Sequence, residues 1–455
     1  MRVITLIRDK ITRLYFKLRG EDFIPQYKTI KSIVEEGDID SFVEKSLRDL
    51  LIHAYRNVPY YKRIFDDIGL VSGNHVDISR FSEVPILTKN IIRQHIDELK
   101  SMDFQRRKFY YNSSGGSTGE PVTFIQDAEY KAWARATVHF YYKDVLGIDD
   151  LKARKVIIWG AEREFWDKLH RLRGRIENWF TRTKLLNAFR MTREDMLRFV
   201  KIINRFRPHI IRGYATSLYD FARFIDNMGI EIHSAKVVIS TAETLYDFMR
   251  KKLEEVFCAD VRDFYGSRES SALGGECHRN MIHMFAFNNY VELLDVGWSK
   301  KNVRRIIVTT LHNYSMPLIR YDIGDLAETN GYKCSCDLLL PAIKRVYGRV
   351  SDNFILPDGT VVHGEYFVHL FYFREWVRKF QVIQEDYDKI RIKVIVNEDK
   401  AGEGMRKDIA EIEHKIRLVM GENAKISWEF VEEIHPPPSG KHLFTFSLMY
   451  RREQK

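Results

Sequence analysis

Four cysteines spread over 455 residues cannot frame this chain with disulfides. Long apolar runs are missing as well. Nothing approaches the roughly 20 consecutive apolar residues of a membrane-spanning helix, and the first residues lack the apolar core followed by small residues of a secretory leader. The expected compartment is therefore the cytoplasm. Signatures for reading nucleic acid are also absent, with no RNP-like, finger or basic-zipper pattern to give the formal charge of +10 and isoelectric point near 9.1 that meaning. The 73 Lys and Arg are scattered among 63 acids, so no nucleic-acid partner is expected. No internal repeat or low-complexity tract occurs, which argues against a repeat architecture.

What is present is a composition able to bury a large core: 45% hydrophobic and 13% aromatic, enough for two or three domains. Ile4, Ile7, Ile11, Leu14 and Leu18 recur at three and four spacing among Arg2, Arg8, Lys10, Arg13, Lys17 and Arg19. Residues 1–19 thus form an amphipathic basic helix, which either packs on the body, the favoured reading, or makes peripheral contact with an anionic membrane surface. The stretches 27–36, 39–54 and 89–100 also carry helical spacing, making 1–100 a helical region. Beyond it, short β-prone runs at 156–159, 210–214, 236–240 and 261–265 alternate with helical patterns at 193–205, 217–228 and 245–257. Such alternation indicates an α/β layer with a parallel sheet. From about 286 the pattern turns strand-rich, and 348–455 reads as a smaller α+β unit with strands near 379–385, 389–396 and 425–431 and a helix over 404–419. The expected regions are 1–100, 101–347 and 348–455.

The run Ser113-Ser114-Gly115-Gly116-Ser117-Thr118-Gly119-Glu120-Pro121 suits an anion, because glycines free the backbone to wrap it and hydroxyls add donors. It is not a Walker loop, since Glu120-Pro121 stands where that loop needs Lys and Ser or Thr. The stretch 115–119 also fits the nucleophile elbow of a serine hydrolase, with Ser117 as attacker. An elbow should run into a helix, whereas 120–125 continues β-prone.

Downstream stand Ser240-Thr241-Ala242-Glu243, Asp263-Phe264-Tyr265-Gly266-Ser267-Arg268-Glu269, Arg320-Tyr321-Asp322-Ile323-Gly324-Asp325, Gly348-Arg349-Val350-Ser351-Asp352 and Ser439-Gly440-Lys441. The second follows a predicted strand, and α/β sheets bind ligands at the carboxyl ends of their strands. Singly, these are a core aromatic, turn aspartates and a solvated lysine. In this order they resemble the adenylate-forming superfamily, and within it the phenylacetate-CoA ligase-like family, particularly the CapK-like branch linked to capsule and surface polysaccharide.

That resemblance implies a large N-terminal α/β adenylate-forming domain with a helical N-terminal extension, an ATP- and acid-binding core, and a smaller, mobile α+β C-terminal lid domain. It implies that Ser114, Gly115, Gly116, Ser117, Thr118 and Gly119 hold the β- and γ-phosphates of ATP, and that Ala242 and Glu243 line the adenine pocket. Tyr265, beside Gly266, would stack on adenine. Ser267 would face the α-phosphate, Glu269 would bind Mg²⁺, Asp325 would hold the ribose and Arg349 would contact ribose or phosphate. Asp352 would lie near the hinge, and Lys441 would bridge carboxylate and α-phosphate. Val122 stands where many superfamily members carry Lys.

Cys277 and His283, with five residues between them, and Cys334 and Cys336, with one, supply three sulfurs and an imidazole. On the residues alone, scattered free thiols and a surface histidine are the better reading. Some relatives carry both spacings, so the resemblance implies a closed structural zinc site, with His278 as alternative ligand and Cys258 outside it. The implied activity is ATP-dependent activation of a small-molecule or sugar carboxylic acid, forming AMP and pyrophosphate. The acceptor is CoA or an amine, the latter making an amide ligase of a sugar acid. Cytoplasm, extending to the inner membrane surface through residues 1–19, is the location that goes with it.

Overall fold

The computed structural model describes residues 22–114, 122–159, 172–188, 191–295, 302–329, 334–349, 353–357, 361–362, 364–372, 374–400, 402–435 and 443–449. Three helices come first: α1 (Ile24–Glu36), α2 (Ile39–Asn57) and α3 (Pro59–Ile68). α1 has proline in its first turn and stops at Gly37, whose φ of 74° is open to glycine. α2 buries Ile39, Val43, Leu47, Leu50, Leu51 and Ala54, the three-and-four stripe seen in sequence. The helix expected over 89–100 ends at Gln94. Beyond it the chain turns, drawing Leu99 into the core and presenting the Glu98 carbonyl to the N–H of Tyr60.

The hairpin β1 (Phe109–Ser113) and β2 (Thr123–Asp127) flanks the Gly/Ser loop. It runs directly into α4 (Ala128–Phe140), whose N-terminus is capped by the Asp127 carboxylate accepting from Tyr130 N. The other carboxylate oxygen of Asp127 accepts from the N–H groups of Tyr314 and Ser315, tying this corner to a distant loop.

The central sheet then forms from β3 (Lys155–Trp159), β4 (Thr183–Asn187), β5 (Ile210–Tyr214), β6 (Val237–Thr241), β7 (Asp260–Ser267), β8 (Ser271–Glu276) and β9 (Ile282–Met284). Helices α5 (Arg193–Phe206), α6 (Ala215–Asn227) and α7 (Asp247–Phe257) connect its middle strands. A second sheet contains β10 (Asn289–Asp295), β11 (Val303–Thr310), β12 (Tyr321–Glu328) and, after the short β13 (Ala342–Ile343), β14 (Arg345–Arg349). The central order is β13-β9-β8-β7-β6-β5-β3-β4. Strands β3 to β7 pair in parallel, as the alternation predicts, while β8, β9 and β13 add antiparallel partners, so the sheet is mixed.

β6 is buried at every position, which accounts for its unbroken Val-Val-Ile run. Along β5 and β6 the two faces alternate: Ile211 and Val238 pack with α5 to α7, whereas Ile210, Val237 and Ile239 join the core under α2 and α4. The last unit carries α8 (Gly364–Tyr372), β15 (Val377–Asp386), β16 (Lys389–Val396), α9 (Glu403–Met420), β17 (Lys425–Phe430) and β18 (Thr445–Ser447). Its sheet order is β17-β16-β15-β18, over a separate core that includes Phe354, Phe367, Phe371, Val382 and Ile412. Phe444 reaches across to Tyr246 and Phe248, beside buried Tyr219 and Met249. No helix among the described residues is long and apolar enough to cross a membrane, and the basic stretch 1–19 lies outside them. Helices α4 and α8 had no clear period in the sequence, being apolar on more than one face.

Candidate active-site cavity

A cavity of about 370 Å³ opens where β3, β5, β6 and β7 end. Parallel strands direct their carboxyl ends to one edge, and the loops leaving that edge form its walls. Trp159, Tyr214, Thr241 and Ser267 come from the strands, Asp325 from the second sheet, and Leu443, Phe444 and Thr445 from the last unit. Ala242, Glu243, Tyr265, Gly266, Ser267, Glu269 and Asp325, nominated from scattered motifs, all line this one space.

Each is held by local geometry. Ala242 has φ of 70°, an uncommon conformation for a residue with a side chain, and it turns the backbone at the end of β6. The next residue, Glu243, accepts from both N–H and hydroxyl of Thr216, at 2.9 and 2.7 Å, and so caps the N-terminus of α6 with its negative charge. Tyr265 is buried and donates from its phenol to Asp325 at 2.8 Å, linking the two sheets across the cavity. A Cβ on Gly266 would lie 2.5 Å from the Ser271 carbonyl, so the hairpin between β7 and β8 closes only around glycine. Ser267 accepts from Ser270 N at 2.9 Å and keeps its own proton available. Glu269 is buried, its carboxylate 3.4 Å from the Tyr321 hydroxyl, and its backbone carbonyl receives Tyr130 and Gln126. Asp325 stands opposite Arg349 in the β12–β14 ladder, and the Arg349 side chain lies outside the described residues.

Ser114 is buried and staples the base of the Gly/Ser loop: its N–H donates to the Val122 carbonyl and its hydroxyl accepts from Val122 N, each at 2.9 Å. Gly115, Gly116, Ser117, Thr118 and Gly119 lie outside the described residues, as do Asp352 and Lys441. Leu443, the described residue nearest to Lys441 in sequence, lines the cavity, and Gln381 donates to its carbonyl at 3.0 Å.

Two wall residues were not nominated from sequence. Asp263 lines the cavity from β7, and its carboxyl is pushed up to about 7 by burial and by the nearby Glu276 charge, with Arg250 offsetting part of the effect. Arg212 enters from β5 with its guanidinium 4.7 Å above the Phe264 ring. Both sit in the middle of predicted strands, 210–214 and 261–265, where the sequence gives no signal to single them out.

A second cluster lies apart from the cavity. Cys277 follows β8, His283 is in β9, and Cys334 and Cys336 precede β13. Their ligand atoms all fall within 4.8 Å of one another. Sγ of Cys334 is 3.7 Å from Cys277 and 3.3 Å from Cys336, and Cys336 Sγ is 3.1 Å from His283 Nε2. Around a tetrahedral ion bound at about 2.3 Å, sulfurs would stand about 3.8 Å apart, near what is seen. His283 Nδ1 lies 3.1 Å from the Leu340 carbonyl, which fixes the ring with Nε2 toward the sulfurs. His278 is not part of the group, and Cys258 is exposed elsewhere.

Residues 354–447 match the model of the CapK C-terminal domain. The chain is 25% identical to protein CapK of Staphylococcus aureus over 95% of this chain and 96% of that protein. It is 23% identical to phenylacetate-coenzyme A ligase of Thermus thermophilus, covering 83% and 86% of the two chains. Among solved structures, 2-hydroxyisobutyryl-CoA ligase in its postadenylation state with 2-HIB-AMP superposes with a TM-score of 0.69, at 16% identity over 90% of this chain and 91% of that one. The same enzyme in its thioesterification state gives 0.57, at 16% identity and 92% of both chains. The fold is that of these adenylate-forming ligases.

Proposed function

We propose that this relative of CapK and the phenylacetate-coenzyme A ligases is an ATP-dependent, AMP-forming acid ligase. It joins a carboxylate to the α-phosphate of ATP, releases pyrophosphate, and passes the acyl group to an acceptor. The observation that carries the reading is that Tyr265, Ser267, Glu269 and Asp325 share one cavity at the strand ends, bordered by Leu443 to Thr445 of the last unit.

The chemistry asks two poor partners, a carboxylate and a polyanion, to meet, so the protein must position them and offset charge. In this reading Tyr265 stacks on adenine while its phenol orients Asp325 toward the ribose hydroxyls, and Ala242 and Glu243 border the base. Ser267 donates to the α-phosphate with the proton it retains. The loop from Ser114 to Gly119 takes the pyrophosphate side, and the Ser114–Val122 staple fixes its mouth. Arg349 meets ribose or phosphate, and Lys441 bridges carboxylate and α-phosphate. The buried Glu269 carboxylate fits an ATP-bound Mg²⁺, which when present neutralises phosphate charge. The cysteine and histidine cluster fits Zn²⁺, which when bound closes the site structurally without taking part in the reaction.

The acceptor is read as CoA, by likeness to the CoA ligases, or as an amine, which would make an amide of a sugar acid. A surface-polysaccharide role follows from the likeness to CapK. Pyrophosphate exchange into ATP tests the activity, screened over aryl, fatty and uronic acids. Acid-dependent exchange is expected, falling on the order of 10²- to 10³-fold in Lys441→Ala. Ester hydrolysis without ATP, silenced by Ser117→Ala alone, would favour the hydrolase instead. Absence of exchange with every acid, together with no binding of Mg·ATP, would overturn the proposal.

A further inference from the structure

Resting on that reading, we infer that Arg212 selects an acid bearing a second anionic group, distal to the carboxylate that is activated. Side chains alternate along β5: Ile211 packs with α5 to α7, whereas Ile210 joins the opposite core, and Arg212 and Tyr214 follow Ile210 to that face. Arg212 therefore enters the cavity two residues, about 7 Å, short of the end of β5, beside Val138 of α4.

Its surroundings do not satisfy a cation. Nη1 is 3.4 Å from the Tyr142 hydroxyl and Nη2 is 3.5 Å from the Thr241 hydroxyl, both long contacts to neutral oxygens. Thr241 already donates its proton to the Phe264 carbonyl at 2.8 Å. Among the described residues no carboxylate lies within 4.0 Å of the guanidinium. Other interior arginines are paired: Arg135 with Asp150 at 2.7 Å, Arg250 with Glu276 at 2.8 Å and Arg320 with Glu292 at 3.0 Å. Arg212 is half-buried, and a guanidinium on a cavity wall with no protein anion beside it is suited to a ligand that brings the anion.

The nucleotide's phosphates are a poorer fit for that role. Ser267 and Glu269, the residues read as serving them, lie at and beyond the end of β7, whereas Arg212 lies deeper, against α4 and the turn after it. At the ends of β3 and β5 the rings of Trp159 and Tyr214 stand 4.3 Å apart, tilted 33° to each other, and give the cavity an apolar side against which the rest of the acid can lie. A planar, five-donor guanidinium suits a second carboxylate bidentately and a phosphate or sulfate ester nearly as well.

The test compares straight-chain dicarboxylic acids of four to six carbons, their monomethyl esters, and phosphorylated hydroxy acids in pyrophosphate exchange. The enzymes are wild type, Arg212→Gln and Arg212→Lys, with melting curves verifying the fold of each variant. Wild type should prefer one dianionic class over its neutral match. Arg212→Gln should raise KM for that class on the order of 10²-fold, change kcat less, and erase the preference, while Arg212→Lys restores part of it. AMP affinity should be the same in all three. Equal use of diacid and monoester by wild type, or an equal loss for both in Arg212→Gln, would overturn the assignment. Thermal stabilisation by the diacids without nucleotide separates the two readings. If exchange and Mg·ATP binding are both absent yet Arg212-dependent stabilisation persists, the adenylation reading falls and the anion site stands; if none of the three is seen, both fall.

Discussion

Asp263→Asn should make the protein more stable at pH 8 and leave it unchanged near pH 4. Burial and the neighbouring Glu276 charge lift the Asp263 carboxyl from 3.8 to about 7. Below pH 4 both folded and unfolded chains hold this proton, and Asp263 contributes no pH dependence. Between about 4 and 7 the unfolded chain releases it while the folded chain retains it, so stability falls as pH rises. Above 7 the folded chain carries the full cost of a buried carboxylate 13 residues along the β7–β8 hairpin from Glu276, whose own charge is held by Arg250 at 2.8 Å. A displacement of about 3 units is worth about 4 kcal/mol, and the cavity water that reaches Asp263 reduces this to about 2–4 kcal/mol. For a cooperative unit of around 300 residues, that is roughly 3–6 °C in Tm. Melts of wild type and variant from pH 4.5 to 8 should diverge steadily, the variant melting higher at the alkaline end. Parallel curves would refute the argument, since an amide cannot reproduce a titrating group.

Tyr265→Phe keeps the ring but removes the phenol that holds Asp325, so AMP should bind about 10-fold more weakly by calorimetry, with Tm lowered by roughly 2–5 °C. Ser114→Ala leaves the buried Val122 N–H without its acceptor and should cost about 1–3 kcal/mol in denaturant unfolding, along with slower exchange. In Gly275→Ala the new methyl would overlap the buried Tyr141 ring, and a loss of about 1–3 kcal/mol or more is expected on the same scale. Protein purified without added metal should contain about one Zn²⁺ per chain, and Cys336→Ser should lose it and melt lower.

The elements that could be read from sequence were those whose periodicity reports one buried face. α2 and α5 bury single stripes, and the hydrophobic run of β6 marks a strand covered on both sides. α4 could not be read this way, because Tyr130, Trp133, Ala136, Thr137, His139 and Phe140 are buried around most of the helix and the polar side shrinks to Glu129, Lys131 and the partly exposed Arg135. For the cavity, residues within motifs were nominated because Gly and Ser patterns mark turns: Gly266 and Gly324 do sit in tight backbone geometry. Arg212 and Asp263 carry no such mark. Their significance comes from what surrounds them, a ring under one and a second carboxylate near the other, and those neighbours are 52 and 13 residues away. Asp127 likewise reads as a plain N-cap, while its contacts with Tyr314 and Ser315 exist only in three dimensions.

The cysteine cluster and the cavity look unrelated in sequence, yet the strands between them connect the two. Tyr265 belongs to β7, which continues through β8 to Cys277 and through β9 to His283. Asp325 belongs to β12, and the chain leaving β12 carries Cys334 and Cys336 before pairing with β9 as β13. Thus the two residues that meet at 2.8 Å across the cavity are carried by two sheets whose far ends meet again at the four sulfur and nitrogen ligands. One core, which includes Phe264 and Ala272 of the first sheet and Ile306, Val308 and Ile323 of the second, already joins the sheets, and these two side-chain links add to it. The Tyr265–Asp325 bond is made by side chains at a cavity wall, where water competes for both partners, and a single such bond is worth only about 1–3 kcal/mol. A Zn²⁺ bound at the proposed site at the other end would contribute several-fold more. With the proposed Zn²⁺ bound, the cluster would help fix the spacing between Tyr265 and Asp325, the residues proposed to meet adenine and ribose.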